Sequence, residues 1–137
     1  MLTLNAVYAR MKRNNIEDCA GDSFLHRDEI VQRIPFLKAY KNEQFLFGIY
    51  ENETKWTVLS ANFLFASFDE DRAILRLDIE ANKIFHFLSE KEDNQFSSDV
   101  WLTDGMHIWM KSPECCSLIL NMVLMLKKVP CGVRLSQ

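Results

Sequence analysis

Residues 100–129, VWLTDGMHIWMKSPECCSLILNMVLMLKKV, give the clearest indication of the fold. Two short runs typical of β-strands come first, and Gly105 between them supplies the positive φ that a tight hairpin turn requires. A helix then begins, with Ser112 as its N-cap and Pro113 as its first residue. Glu114 adds a negative charge near the positive end of the helix dipole. This ending predicts a small antiparallel barrel closed by one C-terminal helix, an architecture that binds more often than it catalyses.

The sequence upstream of this ending has the patterning of short strands from residue 44 onwards. Aromatic and β-branched residues, which favour strands, dominate these runs, and polar turn residues separate them. The predicted strands are residues 44–50, 55–59, 63–68, 73–79, 83–88, 100–103 and 106–110. The side chains expected in the core are Leu59, Phe63, Phe65, Leu75, Leu77, Phe85, Trp109, Ile119 and Met122.

The N-terminal part of the chain has a helical period instead. Apolar residues recur at helical spacing within residues 3–13, which predicts a first helix. A second helical stretch, capped by Asp22 or Ser23, is interrupted at Pro35 because proline cannot donate a backbone hydrogen bond. Both helices are expected to pack on the sheet.

The whole chain, residues 1–137, is expected to form one α+β domain, since its length suits a single core. A helical N-terminal extension covers residues 1–43, and the barrel with its capping helix covers residues 44–129. A strand placed before residue 30 would contradict this division.

The order of these elements resembles the pleckstrin-homology superfold, and in particular bacterial PH-like proteins. The resemblance covers roughly residues 44–129 and rests on the segment WTVLSANFLF at 56–65, which is similar to a strand-turn-strand segment of those domains. The turn at 103–105 and the helix start at 112–114 fit the same ending. The resemblance implies an antiparallel PH-like barrel or bent sheet of about seven strands, capped by the C-terminal helix, with the N-terminal helices packed on it.

Phosphoinositide binding, the best-known activity of that family, is not expected here. It requires a cluster of Lys and Arg in the loop between the first two strands, because several charge-assisted contacts are needed to hold a polyphosphate. The corresponding loop, Glu-Asn-Glu-Thr-Lys at 51–55, has two carboxylates and one Lys. We therefore expect no membrane partner.

The charge of the chain is concentrated in its middle segment. The formal net charge is −3 at pH 7, but residues 42–110 carry five Lys/Arg against thirteen Asp/Glu. Such a surface repels nucleic acid and attracts a basic protein. The candidate partner-binding residues lie in two acidic turns: Asp69, Glu70 and Asp71, and Glu90, Glu92 and Asp93.

Motifs that carry catalysis or hold a cofactor or metal are absent from the sequence. His26, His86 and His107 are isolated from one another, no serine lies in a G-x-S-x-G elbow, and the chain has four Gly. The acidic turns lack the spacing of a calcium-binding loop. No catalytic, cofactor-binding or metal-binding residue is therefore predicted, and no cofactor.

The cysteines and the N-terminus favour a cytoplasmic protein. Cys19, Cys115, Cys116 and Cys131 have no CxxC spacing, so free thiols are expected, with a disulfide to Cys131 left open for an oxidising compartment. The first residues lack the features of a secretory signal, and no apolar run is long enough to span a membrane.

The C-terminal helix is more apolar than a single packing face requires. One stripe at spacings of three and four residues would close the barrel. Further apolar residues spread beyond that stripe: Leu118, Leu120, Val123, Leu124 and Met125. The N-terminal helices are the expected cover, with a homodimer or another protein as the alternative.

The sequence is consistent with three functional hypotheses. The first is a non-enzymatic protein-binding module, most concretely an immunity-type protein that neutralises a basic toxin such as a nuclease; its similarity to immunity proteins is one of size and charge. The second is a PH-like adaptor that binds peptides or itself through its apolar helix. The third is a small hydrolase or transferase that uses His86 or His107 with a nearby Asp.

Overall fold

The computed structural model describes residues 2–82, 99–101 and 107–137, and it has an α+β architecture. Five strands form an antiparallel sheet in the order β1-β2-β3-β4-β5. Their bounds are β1 Phe24–His26, β2 Phe45–Asn52, β3 Lys55–Ser60, β4 Phe63–Phe68 and β5 Asp71–Arg76. A separate antiparallel pair consists of β6 (Asp99–Trp101) and β7 (His107–Trp109).

In the part of the chain that the structure describes, two helices precede β1, one lies between β1 and β2, and two follow β5. They are α1 Leu4–Arg13, α2 Ile16–Ala20, α3 Ile30–Arg33, α4 over residues 77–82 and α5 Pro113–Leu126. Short 3-10 helices cover Gly21–Ser23, Arg27–Glu29 and Pro35–Tyr40.

The start of α5 confirms the capping that the sequence predicts. The Ser112 Oγ accepts a hydrogen bond from the Cys115 N–H at 3.1 Å, and Pro113 occupies the first helical position. A similar N-cap begins α1, where Thr3 Oγ1 accepts a hydrogen bond from the Ala6 N–H at 3.2 Å. Each cap satisfies one of the amides that the first helical turn leaves without a partner.

The central sheet is buried on both faces. One face packs against α1, α2, α5 and β7, where Leu59, Leu64 and Leu75 join the main core. The other face holds Trp56, Val58 and Phe65 under α3 and the 3-10 helix Pro35–Tyr40. β3 is accordingly buried from Trp56 to its end, as expected for a strand covered on both sides.

A strand in the N-terminal segment corrects the predicted division of the chain. β1 pairs with β2, with Leu25 opposite Gly48, so residues 24–26 are not part of a purely helical extension. A Cβ added at Gly48 would lie 3.1 Å from Val58 Cγ2 and 3.3 Å from Leu25 Cβ. The missing side chain therefore allows β1 to approach β2 closely. This strand, which lies before residue 30, contradicts the predicted organisation.

The described strands do not form a single seven-stranded barrel. Five belong to an open sheet whose edges are β1 and β5, and the β6–β7 pair is separate from it. The strand predicted at 73–79 is also wrong beyond Arg76, because the chain is helical from residue 77. The strand predicted at 83–88 lies outside the described residues.

Most of the predicted core is confirmed. Leu59, Phe65, Leu75, Leu77, Trp109, Ile119 and Met122 are buried. Phe63 is half-buried, which corrects that prediction, because its side chain lies at the margin of the smaller cluster, against the rings of Tyr40 and Phe65. Phe85 lies outside the described residues.

Candidate functional site

Two hairpin loops meet at one end of the sheet. They are the β2–β3 loop and the β4–β5 loop, which fall at the same end because antiparallel strands reverse direction at each turn. The Asp69 N–H donates to the Thr54 carbonyl at 2.9 Å, and the Ser67 hydroxyl donates to the same oxygen at 3.0 Å. The loops are therefore held to each other directly.

These loops bring five exposed carboxylates together. We call this set the acidic end: Glu51, Glu53, Asp69, Glu70 and Asp71. Three of the five are predicted binding residues, and Asp71 differs from the prediction only in that it begins β5 instead of lying in the turn. Glu51 and Glu53 join them only because the strands pair, since sequence analysis noted them solely as the reason for excluding a lipid headgroup. Glu90, Glu92 and Asp93 lie outside the described residues.

The backbone of both loops is set by short polar side chains. Asn52 Oδ1 accepts from the Thr54 N–H at 2.9 Å and from its hydroxyl at 3.0 Å, which closes the first loop. Asp69 has a φ of 54°, a left-handed conformation in which Asp and Asn are enriched. The carboxylates are thus presented from ordered turns.

Two cations next to the acidic end are directed onto aromatic rings. The Lys55 ammonium lies 5.6 Å from the centre of the Phe68 ring. The Arg72 guanidinium lies 5.6 Å from the Phe36 ring and 5.9 Å from the Trp56 ring, and Arg72 Nη1 donates to the Asp69 carbonyl at 3.1 Å. Cation–π contacts of this kind stabilise the positions of both side chains.

An aromatic cluster adjoins the acidic end, and Phe36 is its exposed member. Phe36 is 39% exposed and packs against Tyr40 and Trp56 with ring centres 6.5 and 6.2 Å apart. Trp56 Nε1 donates to the Glu53 carbonyl at 3.2 Å, so the ring is tied to the acidic loop. Sequence analysis missed Phe36, because the segment Pro35–Tyr40 is a 3-10 helix without a strand or α-helical period.

The opposite end of the sheet anchors the irregular C-terminal residues. Asp78 accepts from Arg76 at 3.2 and 2.9 Å and from the Cys131 N–H at 3.0 Å. These hydrogen bonds, that from Arg76 foremost, hold the pKa of Asp78 below its usual range. Asn62, which is buried, donates to the Pro130 carbonyl at 3.4 Å and accepts from the Gly132 N–H at 3.2 Å.

The three histidines lie in different parts of the chain. His26 ends β1, where its Nδ1 accepts from the Asp28 N–H at 3.2 Å and lies 3.4 Å from the Asp28 carboxylate. His107 begins β7, and His86 lies outside the described residues. The hypothesis of a His/Asp enzyme therefore stays a prediction.

All four cysteines are in the reduced, thiol form. The Sγ atoms of Cys19 on α2 and Cys115 on α5 lie 3.7 Å apart, so the close pair does not involve Cys131. Burial raises the pKa of the Cys19 thiol, and its contact with Cys115 adds to the shift. In the described residues, no three His, Cys, Asp or Glu side chains are arranged to hold a metal ion.

Comparisons with protein-family models, curated proteins and solved structures found no match for this chain. None of the helices in residues 2–82 and 107–137 has the length and apolar character needed to cross a membrane.

Proposed function

We propose that this protein is a non-enzymatic module that binds a basic protein through its acidic end. The most concrete case is an immunity-type protein that neutralises a cationic toxin domain, such as a nuclease, in the cytoplasm. The observation that carries the proposal is the direct hydrogen bonding of the two hairpin loops, which holds five exposed carboxylates in one surface.

Carboxylates on ordered hairpins suit this role better than the same charges on a flexible tail. Their backbone is ordered before they accept charge-assisted hydrogen bonds from Lys and Arg, so less conformational entropy is lost on binding. A concentrated negative potential also steers a basic partner and accelerates association.

The exposed aromatic ring next to the acidic end supports a protein partner over a small ion. Phe36, with the Arg72 guanidinium 5.6 Å from its ring, belongs to the residue types that are enriched at protein interfaces. The function proposed here does not depend on the PH-like resemblance, which stays a prediction about the fold.

A charge-reversal experiment tests the proposal. The test variant carries Glu51→Lys, Glu53→Lys and Glu70→Lys, which change exposed residues and spare Asp69 with its positive φ. The matched control carries Asp18→Lys, Asp22→Lys and Glu29→Lys, three exposed carboxylates elsewhere on the surface. The partner is the basic protein that immobilised wild-type chain retains from its native host, purified before kinetics are measured.

We expect the association rate of the test variant to fall by about tenfold or more and to lose most of its salt dependence, while the control stays within about twofold. Far-UV circular dichroism verifies that all three proteins are folded. If both variants associate like the wild type, or if no basic protein is retained, electrostatic recognition at the acidic end is wrong.

A further inference from the structure

A second candidate site lies between α1, the end of α5 and the C-terminal residues. It is a groove of about 870 Å³ that is largely apolar. Leu124 on α5 and Val133 in the C-terminal segment both line it and are each 47% exposed. A volume of this size is typical of a binding cleft, and exposed apolar side chains along it mark a surface that can bury more area.

The walls of the groove are held in place without any occupant. The Gln44 side chain donates to the Leu135 carbonyl at 2.9 Å and accepts from the Leu135 N–H at 2.6 Å. The Leu4 N–H donates to the Ser136 carbonyl at 2.7 Å, which ties α1 to the same segment. Because the groove is preformed, an occupant loses less free energy to ordering its walls.

The charges around the groove have one sign. Arg10, Lys128 and Arg134 line it, and no carboxylate side chain is among its lining residues in the described part of the chain. Arg10 Nη1 donates to Asn121 Oδ1 at 3.2 Å, and Arg134 Nη1 donates to the Asn42 carbonyl at 2.5 Å. Each guanidinium has five N–H donors, so these contacts orient it and leave further donors for an anionic occupant.

We propose that this groove docks an acidic amphipathic helix of a partner protein. Apolar side chains of that helix, spaced at i, i+3, i+4 and i+7, would pack between Leu124 and Val133, and carboxylates on its flanks would pair with Arg10, Lys128 and Arg134. The site is independent of the acidic end, because it adjoins the other end of the sheet and carries the opposite charge.

The distribution of the cations favours a helix over a small anionic ligand. Arg10 belongs to α1, Lys128 follows α5 and Arg134 lies in the C-terminal segment, so the positive charges come from three parts of the chain. A fatty acid has one carboxylate and could pair with one of them. A helix carries several carboxylates along its length and can meet all three.

Binding of designed peptides to the full chain tests this inference. The probe is a fluorescein-labelled 16-residue helix of about four turns with leucines at i, i+3, i+4 and i+7 and glutamates flanking them. One control peptide replaces every glutamate by lysine, and a second contains the same residues in scrambled order. Fluorescence anisotropy measures the dissociation constants at low and moderate salt.

We expect the acidic amphipathic peptide to bind about tenfold or more tightly than either control peptide. Leu124→Glu and Lys128→Glu should each weaken it by about tenfold, whereas Lys38→Glu, an exposed cation on the other side of the sheet, should leave the affinity unchanged. Equal binding of the scrambled peptide, or indifference to Leu124→Glu and Lys128→Glu, would overturn the proposal.

Two further arms separate other occupants from the one proposed. Sedimentation equilibrium of the wild-type chain and of Leu124→Glu shows whether a second copy fills the groove, and a dimer that the substitution abolishes would overturn the proposal. Binding of palmitate to the wild-type chain is measured separately by isothermal titration calorimetry. Saturable palmitate binding without peptide binding would assign the groove to a small amphiphile and would also overturn it.

Discussion

Asp78 shows how one side chain can hold a segment that has no regular structure of its own. Its carboxylate accepts from Arg76 and from the Cys131 amide and is only 18% exposed. The anion is the form that accepts these bonds, which is why the pKa of Asp78 is lowered. Folding and ionisation of this group are consequently linked.

Replacing Asp78 by Asn should therefore destabilise the protein in a pH-dependent way. The pKa of Asp78 is lower in the folded than in the unfolded chain, so its contribution is present above the ordinary value of 3.8 and is lost as the pH falls through the folded value. Urea unfolding of wild type and Asp78→Asn should show a difference in unfolding free energy at pH 7 that shrinks below pH 3.8. A difference that is constant with pH would show that the carboxylate charge is irrelevant.

The Cys19–Cys115 pair is the second feature at this scale. The two sulfur atoms are close enough for a small rotation to join them, although a bonded pair would be about 2 Å apart. A thiolate is the attacking species in disulfide exchange, and the raised pKa of Cys19 leaves little of it at neutral pH.

We expect oxidised glutathione to link Cys19 to Cys115 slowly at pH 7 and faster as the pH rises. The two protein thiols are oxidised and one glutathione disulfide is reduced to two glutathione thiols. Peptide mapping of the alkylated protein should identify the Cys19–Cys115 bridge, and Cys115→Ser should abolish it. A bridge to Cys131 instead would contradict the observed 3.7 Å contact.

Among the elements, α5 is unusually apolar because it has several packing partners. Ile119 and Met122 are buried in the main core that α5 shares with the sheet, and α1 and α2 also contact α5. The contact of the N-terminal helices with α5 agrees with the predicted cover, but two of the additional apolar residues, Leu124 and Met125, line the groove instead. Leu124 stays exposed beside the groove.

Two substitutions on α5 should have unequal costs. Ile119→Ala should lower the unfolding free energy by about 2–5 kcal/mol, because it removes a large aliphatic side chain from a filled core. Ser112→Ala should cost only about 1 kcal/mol through loss of the cap hydrogen bond. Equal effects in denaturant unfolding would mean that α5 is loosely docked.

In the whole molecule, the central sheet is covered on both faces by the N-terminal and C-terminal parts of the chain. α1, α2 and α5 share one core with the sheet, and β1 and α3 share the other, so the N-terminal residues contribute to both clusters. The charges are arranged along the same sheet, with carboxylates at the end of the β2–β3 and β4–β5 loops and the cation-lined groove towards the other.

Because both cores include the N-terminal part, the protein should unfold in a single transition. Far-UV circular dichroism and tryptophan fluorescence should report the same midpoint in urea, since Trp56 and Trp109 lie in different clusters of one cooperative unit. Separate midpoints for the two probes would instead indicate that the N-terminal part folds as an independent unit.

Elements whose signals are local could be predicted from the residues alone. The predicted strands at 44–50, 55–59 and 63–68 agree closely with β2, β3 and β4, and the start of α5 is where its cap and proline indicate. The alternation of a strand and the cap of a helix depend on residues that are close in the sequence. Both can therefore be predicted without knowledge of the tertiary structure.

Features that depend on distant residues were decided only by the tertiary structure. β1 has three residues, too few for a period, and it forms because Gly48 admits it beside β2. Leu75, Leu77 and Ile79 alternate like a strand, yet the helical turn from residue 77 buries Leu77 and leaves Ile79 64% exposed.

The two candidate sites follow the same rule. The acidic end needs the pairing that places Thr54 against Asp69, and the groove needs α1 beside a segment more than a hundred residues away in the chain. Burial and hydrogen bonding between such distant residues select one arrangement among many that the local patterns allow. Residue types therefore fixed which chemistry was available, and the fold decided which of those residues act together.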